Sequence, residues 1–138
     1  MKLPPIECPA AALPVFVVLP PETPVSTILR AARDLISVPD RWTKWGYGFE
    51  VKPLTEEQAG ETPWVTEPEA TCFCALGAVR KVTGRADDYQ PAVRLLEAGA
   101  FDVAEYNDHP STTHADVLRM FNRAIRRAEA REALALTH

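Results

Sequence analysis

Cysteine, histidine and a paired amide and carboxylate are the side chains here whose types combine into nucleophilic chemistry. Cys74 is followed at i+3 and i+4 by Gly77 and Ala78, and His114 follows Thr113 directly. Asn107-Asp108 lies just upstream of that histidine. In cysteine hydrolases and transferases a thiolate attacks a carbonyl carbon and an imidazole takes and returns the proton. An amide or carboxylate then orients the ring. A thiol near a helix N-terminus gains acidity from the dipole. The same end of a helix favours a neutral imidazole, the form a general base needs. Cys74 is therefore the candidate nucleophile, His114 the base, and Asn107 or Asp108 the orienter.

Each of these residues also has a plain structural use, and the sequence favours it. Cys74, Gly77 and Ala78 make one small helix face against which another backbone can come very close, with the thiol as a compact apolar filler. A dipole effect on Cys74 requires the helix to begin near Thr71; a start at Pro68 puts the thiol in the second turn. His114 leans toward the core side of its helix, where a loop carbonyl can satisfy the ring. Asn107-Asp108-His109-Pro110 is ordinary turn chemistry, with His109 exposed. Cys72, Cys74 and His114 match no recurrent zinc spacing, so neither a metal nor a cofactor is expected. A phosphate-binding glycine loop and a nucleophile elbow are both missing from the sequence.

Composition narrows the classes further. The 138 residues carry a net charge of −4, which argues against a dedicated nucleic-acid binder. Arg119, Arg123, Arg126 and Arg127 share a helix, but Glu129 and Glu132 interrupt that face, which reads as solvated. Cys72 and Cys74 are too close in sequence for an unstrained bridge, and Cys8 leaves an odd count, so reduced thiols in a cytoplasmic protein are expected. The longest apolar stretch, Ala10 to Leu19, is broken by Pro14 and too short to span a bilayer.

Several elements must position the candidate residues. Residues 1–23 read as a proline-rich extended arm, in which Val15 to Leu19 forms a short strand that packs on the core or pairs with another chain. Residues 24–138 read as one helical domain. Thr23-Pro24 opens a first helix with Ile28, Leu29, Ala32, Leu35 and Ile36 at helical spacing. Tyr47, Phe49 and Val51 alternate as in a strand, with Trp64-Val65 as its return, and the aromatics of this segment read as a lid on the core in preference to a ligand cage. Thr66-Glu67-Pro68-Glu69 starts a buried central helix over Ala70 to Thr83, stopped by Gly84. A fourth helical stretch carries Val93, Leu95 and Leu96 and ends at Gly99; Phe101 to Tyr106 is extended or irregular. Thr113 caps the last helix, whose core stripe is Val117, Leu118, Phe121, Ala124, Ile125 and Ala128. The fold class is mainly α with a little β: about four helices around a buried central one, plus a small hairpin.

The order Ile28 to Ala32, Arg41-Trp42-Thr43, Phe73 to Ala78, Asn107-Asp108 and Thr113 to Leu118, with Phe121 and Ala124-Ile125, resembles a family of small bacterial and phage proteins of unknown function. The resemblance covers roughly residues 24–128 and spares the arm. It implies that Cys74, Asn107-Asp108 and His114 are family motif positions, and it implies no activity. Function is expected to be that of a non-enzymatic binding or regulatory module. Its partner would be a protein or a second copy engaged through the arm, or a partner held in the groove between the hairpin and the helices. No membrane is expected, and an arginine-mediated nucleic-acid contact is disfavoured by the acidic balance. The competing expectation is a cysteine-dependent hydrolase or transferase.

Overall fold

Apolar side chains recurring at helical spacing bury one face of each long helix, and the two longest helices follow that rule. Helix α1 (Val25–Leu35) buries Ile28, Leu29, Ala32 and Leu35 on one side, with Ile36 buried at its C-cap. Helix α6 (His114–Leu136) buries Val117, Met120, Phe121, Ala124, Ile125 and Ala128. Thr113 caps α6 in both directions: its hydroxyl accepts the Asp116 N–H at 3.1 Å, and the Asp116 carboxylate accepts the Thr113 N–H at 2.9 Å. At the start of α1, Pro24 takes the cap position itself, one residue later than Thr23.

This is a computed structural model, describing residues 18–63, 69–88, 90–98 and 101–137. Between α1 and α6 come a short 3-10 turn (Pro39–Arg41), strand β1 (Gly48–Phe49), helix α2 (Glu56–Glu61), strand β2 (Cys72–Phe73), helix α3 (Ala75–Thr83), helix α4 (Pro91–Glu97) and helix α5 (Val103–Asp108). Helix α1 packs against both α3 and α6, and α4 packs against α6. The described residues are mainly helical and contain one small antiparallel sheet. Each fully buried Leu, Ile, Val or Phe in this core stabilises by roughly 1.5–3 kcal/mol.

The central helix departs from the sequence expectation. It begins at Ala75, not Ala70, and ends as expected at Gly84, which adopts φ +66°. The preceding Cys72–Phe73 instead pairs with β1 in the register Gly48↔Phe73 and Phe49↔Cys72. An apolar run such as Ala70 to Phe73 suits a buried strand as well as a buried helix, and tertiary pairing chooses between them. Two further bonds extend the pairing, Thr71 N–H to the Phe49 carbonyl at 2.9 Å and Thr43 N–H to the Phe73 carbonyl at 3.0 Å. Cys72–Phe73 thus answers β1; Trp64-Val65, expected in that role, lies outside the described residues. Of the alternating aromatics, Phe49 is fully buried with Ala59 and Cys72 in a small second core, while Val51 is exposed.

Three other boundaries differ. Helix α2 forms within a stretch expected to be a connection, because Thr55 caps it by accepting the Gln58 N–H at 3.1 Å. Helix α5 replaces the irregular segment and turn expected through Asp108, capped by Asp102, whose carboxylate accepts the Glu105 N–H at 3.0 Å. Helix α4 ends one residue early, on Ala98 at φ +52°. The expected strand Val15 to Leu19 falls mostly outside the described residues; at its end, the Leu19 N–H donates to the Val82 carbonyl at 2.8 Å.

Candidate functional site

Helix α5 ends on two polar residues that meet the start of α3 and the loop between the 3-10 turn and β1. Asn107, on the inner side, is fully buried. Its carbonyl oxygen accepts the Trp42 indole N–H at 2.8 Å and the Ala75 backbone N–H at 3.1 Å. Its amide nitrogen donates to the Thr43 carbonyl at 3.0 Å and to Asp108 Oδ1 at 3.0 Å. An amide offers two lone pairs and two N–H groups, so this one is saturated. The partners also fix which way it faces, since two donors meet its oxygen and two acceptors meet its nitrogen. Ala75 opens α3 and its N–H has no partner within the helix; Asn107 supplies one from another helix.

Cys74 is the N-cap of α3, and its sulfur accepts the Gly77 N–H at 3.3 Å. That places the thiol nearer a helix N-terminus than either start considered from sequence. Burial nevertheless overrides the dipole. Desolvation, with the negative charge of Asp108 adding to it, pushes the Cys74 thiol up to about 12. The small face formed by Cys74, Gly77 and Ala78 admits a neighbouring backbone as expected: the Cys74 N–H donates to the Tyr47 carbonyl at 3.3 Å. A side-chain carbon added at Gly77 would lie 1.9 Å from that carbonyl oxygen.

His114 opens α6, and its Nε2 lies 2.7 Å from the Ile36 carbonyl. A carbonyl only accepts, so Nε2 carries the proton and donates it. The ring packs against Trp42 at 5.6 Å between centroids. The path from His114 to the thiol therefore runs through Trp42, then Asn107, then the Ala75 amide. No hydrogen bond joins His114 to Cys74 among the described residues. Nor does any group of three metal-ligating side chains gather there. His109 is exposed, as expected.

Asp108 faces the other way, into a cleft of about 370 Å³. Trp45, Gly46, Tyr47, Cys74, Leu76, Ala104 and Glu56 line it together with Asp108. Asp108 Oδ1 accepts the Trp45 backbone N–H at 2.8 Å. Trp45 has φ +71°, the left-handed region, which is costly for a bulky residue and needs such anchoring. The Tyr47 hydroxyl donates to Asp88 at 3.2 Å, and burial raises its pKa. Arg80 stacks its guanidinium 3.6 Å above the Tyr47 ring. It also grips Asp88 with two bonds, of 2.9 and 3.0 Å.

The four residues singled out from sequence divide accordingly. Cys74, Asn107 and Asp108 come together at the α3–α5 junction, and His114 joins them only through Trp42. The sequence marks Trp42 and Thr43 only within the Arg41-Trp42-Thr43 motif and Trp45 only among the aromatics of that segment, and it does not point to Glu56. The available signal was Trp42 itself, because a buried indole N–H requires an acceptor.

The chain matches the model of a family of unknown function (DUF6197) over residues 20–127, and it belongs to that family. The likeness read from residues 24–128 is thus borne out at the level of a small uncharacterised family. No curated protein matches the chain. No solved structure matches it either.

Proposed function

We propose that this protein is a non-enzymatic binding module whose recognition site is the cleft between the Trp45–Tyr47 loop, the start of α3 and the end of α5. One observation carries the reading. The groups a cysteine enzyme would need are spent on architecture. Asn107 has no bonding capacity left, and the Cys74 sulfur caps α3. The protonated nitrogen of His114 is committed to the Ile36 carbonyl. A nucleophilic thiol is ionised near neutral pH and lies beside its base; Cys74 is 5% exposed, with its pKa pushed up to about 12. Next to these saturated groups lies a concave surface with two aromatic rings and two carboxylates, the usual composition of a small-ligand site.

Residues 1–23 are proposed to act as an arm that engages a protein partner or a second copy, anchored to the domain where the Leu19 N–H meets the Val82 carbonyl. Val18, where the described chain begins, is 53% exposed.

Alkylation of the native protein by iodoacetamide across a pH series tests the non-enzymatic reading. Cys74 is expected to stay unlabelled below pH ~9 and to react once denaturant opens the core. Rapid labelling of Cys74 in the folded protein near neutral pH would instead favour the cysteine-dependent hydrolase or transferase, with His114 as base and Asn107 or Asp108 as orienter.

A further inference from the structure

We infer that the cleft receives an alkylammonium or guanidinium group carried on a short aliphatic body. This rests on the binding reading above and names the ligand chemistry for that site.

The charge balance of the walls leads there. Asp108 uses only Oδ1 for internal bonds, to the Trp45 N–H and the Asn107 amide, and Oδ2 has no partner among the described residues. The Glu56 carboxylate likewise makes no hydrogen bond or ion pair among them. The nearby cations are committed elsewhere. Arg80 is neutralised by its two-point grip on Asp88, and Lys44 donates to the His109 carbonyl at 2.7 Å. The cleft thus presents two carboxylates that lack a cation, one of them held in a fixed orientation by two donors. A carboxylate pre-oriented in this way loses little freedom when it binds.

The rest of the lining decides what kind of cation fits. A hard metal ion held by two carboxylates keeps most of its waters and gains nothing from the aromatic and aliphatic side chains that make up the rest of this lining. Trp45 and Tyr47 are among the lining residues, and aromatic rings attract organic cations through their electron-rich faces. Tyr47 already holds one such cation, the Arg80 guanidinium. Leu76 and Ala104 add aliphatic surface for the body of the ligand, and about 370 Å³ lies within the range of small-ligand sites.

Titration of the full chain, followed by the NMR signals of the Trp45 indole and the Gly46 amide, tests this. The probes are 1-butylguanidine, pentylammonium, blocked arginine (Nα-acetyl-arginine amide), and the uncharged and anionic controls pentanol and pentanoate. The cations are expected to shift both signals saturably, with Kd on the order of 0.1–1 mM, as befits ligands of so few atoms. Pentanoate should leave them unmoved, and pentanol should bind at least ~10-fold more weakly. Asp108→Asn and Glu56→Gln should each weaken cation binding about 5-fold or more. Asp108→Asn keeps an oxygen for the Trp45 N–H, and Glu56→Gln lies on an exposed helix, so at least one variant reports on a folded protein. Binding of the blocked arginine would point to a polypeptide side chain as the source, and binding of the free cations alone to a small molecule. Pentanol binding as tightly as the cations would overturn the charge inference while leaving the cleft a binding site. Silence from every probe up to about 50 mM would overturn both.

Discussion

Asn107 and Asp108 are neighbours at the end of one short helix, and they face opposite demands. Asn107 points inward and is saturated, with two donors on its oxygen and two acceptors on its nitrogen. Asp108 lines a cleft and is half used: one oxygen steadies the Trp45 backbone and the Asn107 amide, and the other has no partner among the described residues. A buried polar group must complete its bonds or destabilise the fold, so completeness at Asn107 marks a structural joint. Leftover capacity in a concave, aromatic setting marks a place where something else can complete the set. Residue type alone does not separate the two roles, since amide and carboxylate are equally able to orient a catalytic imidazole. The number of bonds left unmade separates them.

The largest expected effect comes from emptying the saturated side. Asn107→Ala would orphan the Trp42 indole N–H, the Ala75 amide and the Thr43 carbonyl together, all in a buried setting. Urea unfolding should show a loss of about 3–5 kcal/mol. A loss under ~1 kcal/mol would mean that water or a shifted backbone replaces the amide, and that Asn107 does not hold the joint together.

A smaller effect, visible mainly through pH, is expected at the thiol beside that joint. Cys74→Ser replaces a sulfur acceptor with a hydroxyl, a good N-cap, so stability near pH 7 should change by no more than about 1 kcal/mol. The native Cys74 pKa is raised from an ordinary 9.0 to about 12. Its contribution is then fully present below pH 9, where the thiol is protonated whether folded or unfolded. It fades as pH rises from 9 toward 12, because only the unfolded chain releases the proton there. The difference between wild type and Cys74→Ser should therefore shift in favour of serine across that window, by up to ~1.4 kcal/mol per pH unit. A difference that stays flat with pH would place Cys74 in contact with solvent.

Much of the frame was legible beforehand. The stripes of α1 and α6 are long enough for helical period to dominate, and the Thr113–Asp116 capping box marks the start of α6 outright. The joint was less legible, for two physical reasons. Ala70 to Phe73 carries no polar residue but Thr71 to reveal a period, and pairing of Cys72–Phe73 with β1 takes this stretch out of the central helix; Thr66 to Pro68, the expected helix start, lie outside the described residues. Cys74 was also not read as a cap, because thiols are weak acceptors and cap positions are recognised by oxygen-bearing side chains. Helix α5 is a six-residue element, too short for a stripe to show, although Asp102 and Glu105 stand at capping distance. The bond from Trp42 to Asn107 spans 65 positions, and no local pattern encodes a contact of that range.

The reciprocal exchange of the two neighbours tests the central contrast most directly. Asn107→Asp keeps shape but turns two donors into acceptors facing the Thr43 carbonyl and Asp108, whereas Asp108→Asn keeps an oxygen for the Trp45 N–H. Chemical denaturation at pH 7 should show a loss of about 3–5 kcal/mol for Asn107→Asp, partly recovered at lower pH as the new carboxyl takes up a proton. For Asp108→Asn the change should stay within ~1 kcal/mol. Equal losses from the two exchanges, or a greater loss from Asp108→Asn, would contradict the division of this helix end into a structural joint and an open site.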